Sequence, residues 1–384
     1  MVKIGDSIRI LHSAYQSATR KAGVDEGDII LKVNGKDMVG ADVTYDMLRN
    51  VVTSQDTCYL TYYDYQSQSV KEASLPVVEI ENSDATIHGM LTDSVGIIKI
   101  KQFNSRTYEQ FMQSLENLDS TSSHLDLIID VRSNPGGYLP QVIKILEQLI
   151  YEKDKLLLST VNRDGSEKNY YSKAKNFFKV DKIAVLIDGN SASASEILAG
   201  VLQDLDRAII IGEASFGKGL VQEQFGLSSG GKIRLTVSEY LMPSGRSIQK
   251  WENIGYAKEH CDTTVVAKSS LYFRPLPTCQ GVVPDLPIVL NTACYQFDYE
   301  LHQLTIGLNE SDLPNDEALK SLLYNNKIQF NIGCVSEMRN EILHQINRRQ
   351  MSNEDAAFNQ IKDEIIIKKA IEVLKLPVRQ ALLQ

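Results

Sequence analysis

The sequence predicts an α/β protein: a layered core preceded by a small β-rich unit and followed by a helical C-terminal extension. Three observations carry this expectation. Between residues 95 and 212, apolar strand-like runs alternate with segments of helical spacing, the rhythm of a layered α/β core. Residues 1–78 hold short β-branched runs broken by glycine turns. Near the C-terminus, Ile367, Ala370, Ile371 and Leu374 recur at i, i+3, i+4, i+7, one face of a helix.

Taken in order, Ser7–Leu11 reads as a strand, and the run from Glu26 to Val33 ends in Asn34-Gly35, a strand followed by a tight turn. Helical character follows near 43–52 and a strand at Cys58–Tyr63. Val95–Ile100 reads as a buried strand. Tyr108, Phe111, Met112, Leu115 and Leu118 share a helix face. Leu125–Val131 is a second apolar strand. The turn Ser133-Asn134-Pro135-Gly136-Gly137 then leads to a helix carrying Val142, Ile143, Leu146 and Ile150. Asp164-Gly165 marks a hairpin tip. Ile183–Asp188 is a third strand, a helix is expected over about 193–205, and Ala208–Gly212 is a fourth strand. Residues 220–240 read as two strands around Ser228–Gly231. Residues 250–280 show no period and read as a surface insertion. The expected domains are 1–78, 79–290 with the insertion, and a helical 291–384.

The 384 residues carry 40 Lys and Arg against 49 Asp and Glu, a net charge of -9. That balance argues against general nucleic-acid binding, which needs a basic footprint. No apolar run is long enough for a transmembrane helix, and the first residues hold no apolar signal core. A trimmed mature chain would look the same, so export stays open. Five scattered cysteines form no CxxC, and HExxH is absent, so no zinc site and no metal is expected. Cys261 with Cys279 is a candidate disulfide.

The chemistry is concentrated in three segments. Asp188–Glu196 joins a strand to a helix and holds Ser191, Ser193 and Ser195. Free N–H groups at a helix N-terminus could stabilise an oxyanion there, but the serines could equally just cap the helix. Lys218 lies between Gly217 and Gly219 in an apolar region. A desolvated lysine can act as a general base toward a hydroxyl; the alternative is a solvated surface turn. Gln222, four residues on, shares a face with Lys218 in a strand or a helix and could hold it. Gly136-Gly137 after a buried strand lets backbone N–H groups approach a ligand, or merely connects strand to helix. None of the six histidines falls within 125–259, so lysine is the better candidate base for a serine there.

Together these segments resemble the carboxyl-terminal processing peptidases, or tail-specific proteases. The matching stretches are Asp130–Gly137, Asn190–Gly200 with Leu202-Gln203-Asp204, Gly212-Glu213 with Phe216–Gly219, and Met242–Ile248; Gly281–Asp285 resembles a later marker. The resemblance is clear over 95–249 and weaker to 288. It implies a crotonase/ClpP-like serine peptidase core with Ser193 as nucleophile, Lys218 as base and Gln222 as the lysine's partner. The backbone N–H groups of Gly136 and Ala194 would form the oxyanion hole. Hydrolysis would run through an acyl-enzyme with no cofactor. Residues 7–78 resemble a PDZ domain through Lys21-Ala22-Gly23 and Gly27–Gly35, one expected to lack part of its N-terminus. The implied partners are protein or peptide substrates with accessible C-termini, with room for a homo-oligomer or an adaptor or activator protein. The implied location is the periplasm or cell envelope.

Two other functions compete. A peptide-binding or regulatory scaffold without activity would follow if the shortened PDZ domain left the site unassembled. An acyl-coenzyme A enzyme follows from fold analogy alone.

Overall fold

The computed structural model of the chain describes residues 2–11, 13, 17–77, 85–228, 230–254, 266–288, 315–326, 335–347, 351 and 353–377. The chain divides into two units, 1–81 with 291–361, and 82–290 with 362–384. Residues 291–384, expected as one region, are thus divided between them.

In the first unit, β1 (Val2–Ile4), β2 (Ser7–Arg9), β3 (Ile29–Val33), β4 (Lys36–Asp37), β5 (Thr57–Asp64) and β6 (Ser69–Pro76) form one antiparallel sheet. It runs β1-β2-β3-β5-β6, with β4 on β3. Asn34 and Gly35 both take positive φ between β3 and β4, as the shortest hairpin turn requires. Two helices, α1 (Ala18–Lys21) and α2 (Tyr45–Val52), accompany the sheet. Thr44 caps α2 by accepting the Met47 N–H at 3.2 Å. The alternating inward residues of β5, Cys58, Leu60 and Tyr62, join Val24, Val33 and Met38 in this unit's core.

The second unit is built on β7 (Thr86–Met90), β8 (Val95–Ile100), β9 (Asp126–Asp130), β12 (Ile183–Ile187), β13 (Ile209–Gly212) and β18 (Leu286–Pro287). Their order is β18-β13-β12-β9-β8-β7, parallel throughout except for the antiparallel edge strand β7. Parallel strands are covered on both faces, hence their mostly apolar sequences. Ile98, Leu127, Ile129, Val185, Ile187 and Ile210 point into the main core. Ile97, Ile128, Leu186 and Ile211 alternate with them and are equally buried. Helices α3 (Thr107–Asp119), α4 (Leu139–Leu149) and α5 (Ala194–Asp204) supply Phe111, Leu115, Leu146 and Leu198 to that core.

A second sheet runs β11-β10-β15-β14, from β10 (Leu156–Asn162), β11 (Glu167–Tyr171), β14 (Leu220–Gly226) and β15 (Lys232–Leu241). Over residues 266–280 the expected insertion holds paired strands that its lack of period did not suggest. β16 (Val266–Lys268) pairs with β17 (Pro275–Pro277). Buried Arg274 ties this hairpin to Asp206 at 2.8 Å and also to Asp285. A local pattern cannot reveal such anchoring, because its partners lie elsewhere in the chain.

Helices α6 (Asp316–Asn325), α7 (Val335–Asn347) and α8 (Asn353–Ile361) belong to the first unit, and α9 (Ile365–Leu374) to the second. α9 packs on β12 and β13 with Ile366, Ile367 and Ala370 buried. Lys182 Nζ closes its C-terminus by donating to the carbonyls of Leu374 and Leu376 at 2.5 and 3.1 Å. Cys58 is a buried free thiol and Cys279 is disulfide-bonded. Cys261, its expected partner, lies outside the described residues.

Candidate active site

Three neighbouring parallel strands, β9, β12 and β13, deliver the candidate residues from their carboxyl ends. Gly136 follows β9, Ser193 follows β12 and Lys218 follows β13. Loops at this end of a parallel sheet are where ligands of open α/β folds bind.

The first two loops are stitched together. Asp188 accepts the Ser133 N–H at 2.9 Å and its hydroxyl at 3.0 Å. Ser191 donates its hydroxyl to the Val131 carbonyl at 2.8 Å, and Ser195 to that of Asn134 at 2.9 Å. Both serines are fully buried and structural, so the three candidates reduce to one. Ser193 is half-buried at the N-cap of α5, with φ 56° and ψ -113°. This is a strained conformation for a residue with a Cβ, and it persists only when surrounding contacts over-determine it.

Gly136 covers that serine. Its φ is 99°, and a Cβ there would lie 2.7 Å from the Ala192 carbonyl oxygen and 2.8 Å from Ser193 Cβ. Ala194, the other expected oxyanion donor, begins α5, where N–H groups have no intrahelical acceptor. The Gly136 N–H, however, is engaged: it donates to Asn134 Oδ1 at 2.8 Å. Asn134 is itself fixed, its Nδ2 donating to the Ile100 carbonyl at 2.8 Å.

Lys218 is half-buried and its N–H donates to Glu196 Oε2 at 2.8 Å. The Ser193 N–H reaches the same oxygen at 2.8 Å. Gln222, the expected partner of the lysine, lies in β14. Lys218 precedes β14, and the pairing of β14 with β15 shifts register between Val221 and Gln222. The bulge breaks the alternation on which a shared face rests. Gln222 is exposed, and no hydrogen bond joins it to Lys218 among the described residues.

Sequence reasoning missed Glu196 and Lys250. Ser193-x-x-Glu196 is the spacing of a capping box, a signal that could have drawn attention to the acid. Lys250 packs against Gly217, where a Cβ would meet its Cγ at 2.4 Å, and its Nζ donates to the Ser215 carbonyl at 2.5 Å. Burial pushes the Lys250 ammonium down, against the charges of Glu196 and Glu252.

The remaining motif residues hold the frame. Asp130, fully buried, binds Arg132 through both oxygens at 2.9 and 2.7 Å and Lys99 at 3.0 Å. Burial pushes its carboxyl up, but the two cations outweigh that and hold it at about 2. Arg132 also reaches Glu364, just before α9, at 2.6 Å. Arg246 and Asp204, both wholly buried, pair at 2.8 Å, and Arg246 also donates to the Gln203 side chain at 2.8 Å. Gln203-Asp204 and Arg246 therefore lock the chain after β15 onto the end of α5. No group of three or more His, Cys, Asp or Glu side chains is placed to hold a metal among the described residues.

The sequence model of peptidase family S41 matches residues 94–255. Over 275 residues the chain is 33% identical to the carboxy-terminal processing protease CtpB of Bacillus subtilis, covering 70% of this chain and 54% of that one. It is 30% identical over 247 residues to a carboxy-terminal-processing protease of Bartonella bacilliformis, covering 63% and 56%. The chain thus spans little more than half the length of these two relatives. Among solved structures, the photosystem II D1 C-terminal processing protease aligns over 79% of this chain and 73% of its own, at 22% identity and a TM-score of 0.42.

Proposed function

We propose that this chain, whose residues 94–255 match the model of peptidase family S41, is a serine endopeptidase of the carboxyl-terminal processing type. The observation that supports this most is the convergence of Ser193 and Lys218, from loops after different strands, on one buried carboxylate. Ser193 Oγ attacks the substrate carbonyl carbon, and its proton passes to Nζ of Lys218. The Ala194 N–H receives the developing oxyanion. The tetrahedral adduct collapses, the C–N bond breaks, and the leaving amine takes the proton from Lys218. Water then cleaves the acyl-enzyme by the same route. No cofactor enters these steps.

The arrangement is read as a resting one. The Gly136 N–H is held by Asn134, and Gln222 makes no hydrogen bond to Lys218 among the described residues. Substrate binding has to release the first and bring in the second; catalytic contacts commonly tighten only in the complex. The unit containing residues 7–78 is assigned to capture substrate C-termini by strand addition, and its occupancy shifts the population toward the active form. An adaptor or a second copy would act at the same step. Among the described residues no helix is long and apolar enough to cross a membrane. By resemblance, the work is assigned to an exported compartment.

Casein cleavage followed by mass spectrometry tests the reading. The wild-type chain is expected to cut, and Ser193→Ala to lose cutting by at least about 10³-fold. Equal cleavage by both would remove Ser193 as nucleophile. A chain that binds peptides but never turns them over would favour the scaffold.

A further inference from the structure

Glu196 sits in the first turn of α5, wholly buried. Its Oε2 accepts the N–H groups of Ser193 and Lys218, each at 2.8 Å. Its Oε1 accepts the Gly217 N–H at 2.6 Å and the Ser215 hydroxyl at 2.5 Å. A carboxylate offers about four acceptor sites, so all are filled.

A capping box accounts for the bond to Ser193. It does not account for three donors from a segment 19 to 22 residues further along the chain. Burying a carboxylate is unfavourable, and burial does push the Glu196 carboxyl up, its four donors opposing the shift. An apolar or amide side chain would avoid that desolvation penalty, but would not supply two charge-assisted acceptors facing in two directions. Because one oxygen receives both N–H groups, the backbones of Ser193 and Lys218 stand within two hydrogen-bond lengths of each other.

We propose that Glu196 is the positioning residue of the site. Its carboxylate fixes the separation of the Ser193 and Lys218 backbones and holds Ser193 in its strained conformation. The proposal rests on the peptidase reading for the roles of Ser193 and Lys218, but the clamp itself does not depend on turnover.

The test combines steady-state kinetics with residue-resolved amide hydrogen exchange on the full chain and two variants that retain a polar side chain at position 196. In Glu196→Asp the carboxylate is one methylene shorter. It keeps the Ser193 N–H and loses that of Lys218, so the Lys218 amide exchanges at least about tenfold faster while Ser193 changes little. In Glu196→Gln the acceptor is neutral, and both amides exchange faster. In each, kcat falls by roughly 10²-fold with KM within about twofold, the mark of misplaced reacting groups rather than lost binding. Unchanged exchange at both amides in both variants would overturn the clamp. So would kcat within about threefold of wild type in both. If the wild-type chain cuts nothing, the peptidase reading falls on that result, and the exchange data decide the clamp separately.

Discussion

Ser191 and Ser195 give their hydroxyls to backbone carbonyls of the loop after β9, whereas Ser193 stands half-buried in a strained turn beside Gly136. That contrast separates a candidate nucleophile from its neighbours by what each touches. Gly136→Ala tests the close approach. The new methyl would meet the Ala192 carbonyl oxygen and Ser193 Cβ at positive φ, so the loop must move. Cleavage is expected to fall by about 10²-fold or more, read as kcat on a casein-derived peptide. Asp130 makes a second prediction at this scale. Its carboxyl is held at about 2 rather than the usual 3.8 by Lys99 and Arg132. A depressed acid contributes stability above its unfolded value and loses it as pH falls through the folded one. The contribution is roughly 2 kcal/mol at neutral pH. Chemical denaturation from about pH 5 to 2 should show that loss, and Asp130→Asn should remove it while destabilising the chain at neutral pH.

At the scale of elements, the strands that carry the site were legible because they are buried on both faces. Val95–Ile100 and Ile183–Ile187 are largely apolar runs, and Leu127–Ile129 is the apolar centre of Asp126–Asp130. β6 and β7 were not legible: Ser69–Pro76 is mostly exposed and Thr86–Met90 has neither a long run nor clean alternation. Their places are fixed by pairing with β5 and β8. Two contacts were not legible: the register shift beside Gln222, and the bond from the Gly136 N–H to the Asn134 side chain. Neither a bulge nor a side-chain-to-backbone bond has a reliable sequence period. The insertion was misread because Arg274 finds its acids at Asp206 and Asp285. Arg274→Met should therefore cost about 3–5 kcal/mol by leaving buried charge unpaired, seen in the midpoint of urea unfolding. A surface loop would tolerate that change with almost no shift.

For the whole molecule, the parallel order β13-β12-β9 matters most, because it brings together loops that lie far apart in sequence. The motifs at Asp130–Gly137, Asn190–Gly200 and Phe216–Gly219 were visible one by one, and each alone had a structural explanation. Their meeting at one end of a sheet makes them one site. The role of Glu196 could not be read from the sequence, since three of its four donors reach it only after the chain past β13 folds back. The most direct test of the central claim is covalent. The chain is incubated with a fluorophosphonate, which forms a P–O bond to an activated serine and releases fluoride, and the modified peptide is mapped by mass spectrometry. The account predicts one adduct, on Ser193, absent in Ser193→Ala and slowed by at least about 10²-fold in Lys218→Ala. An adduct on another residue, or one that forms equally fast without Lys218, would contradict it.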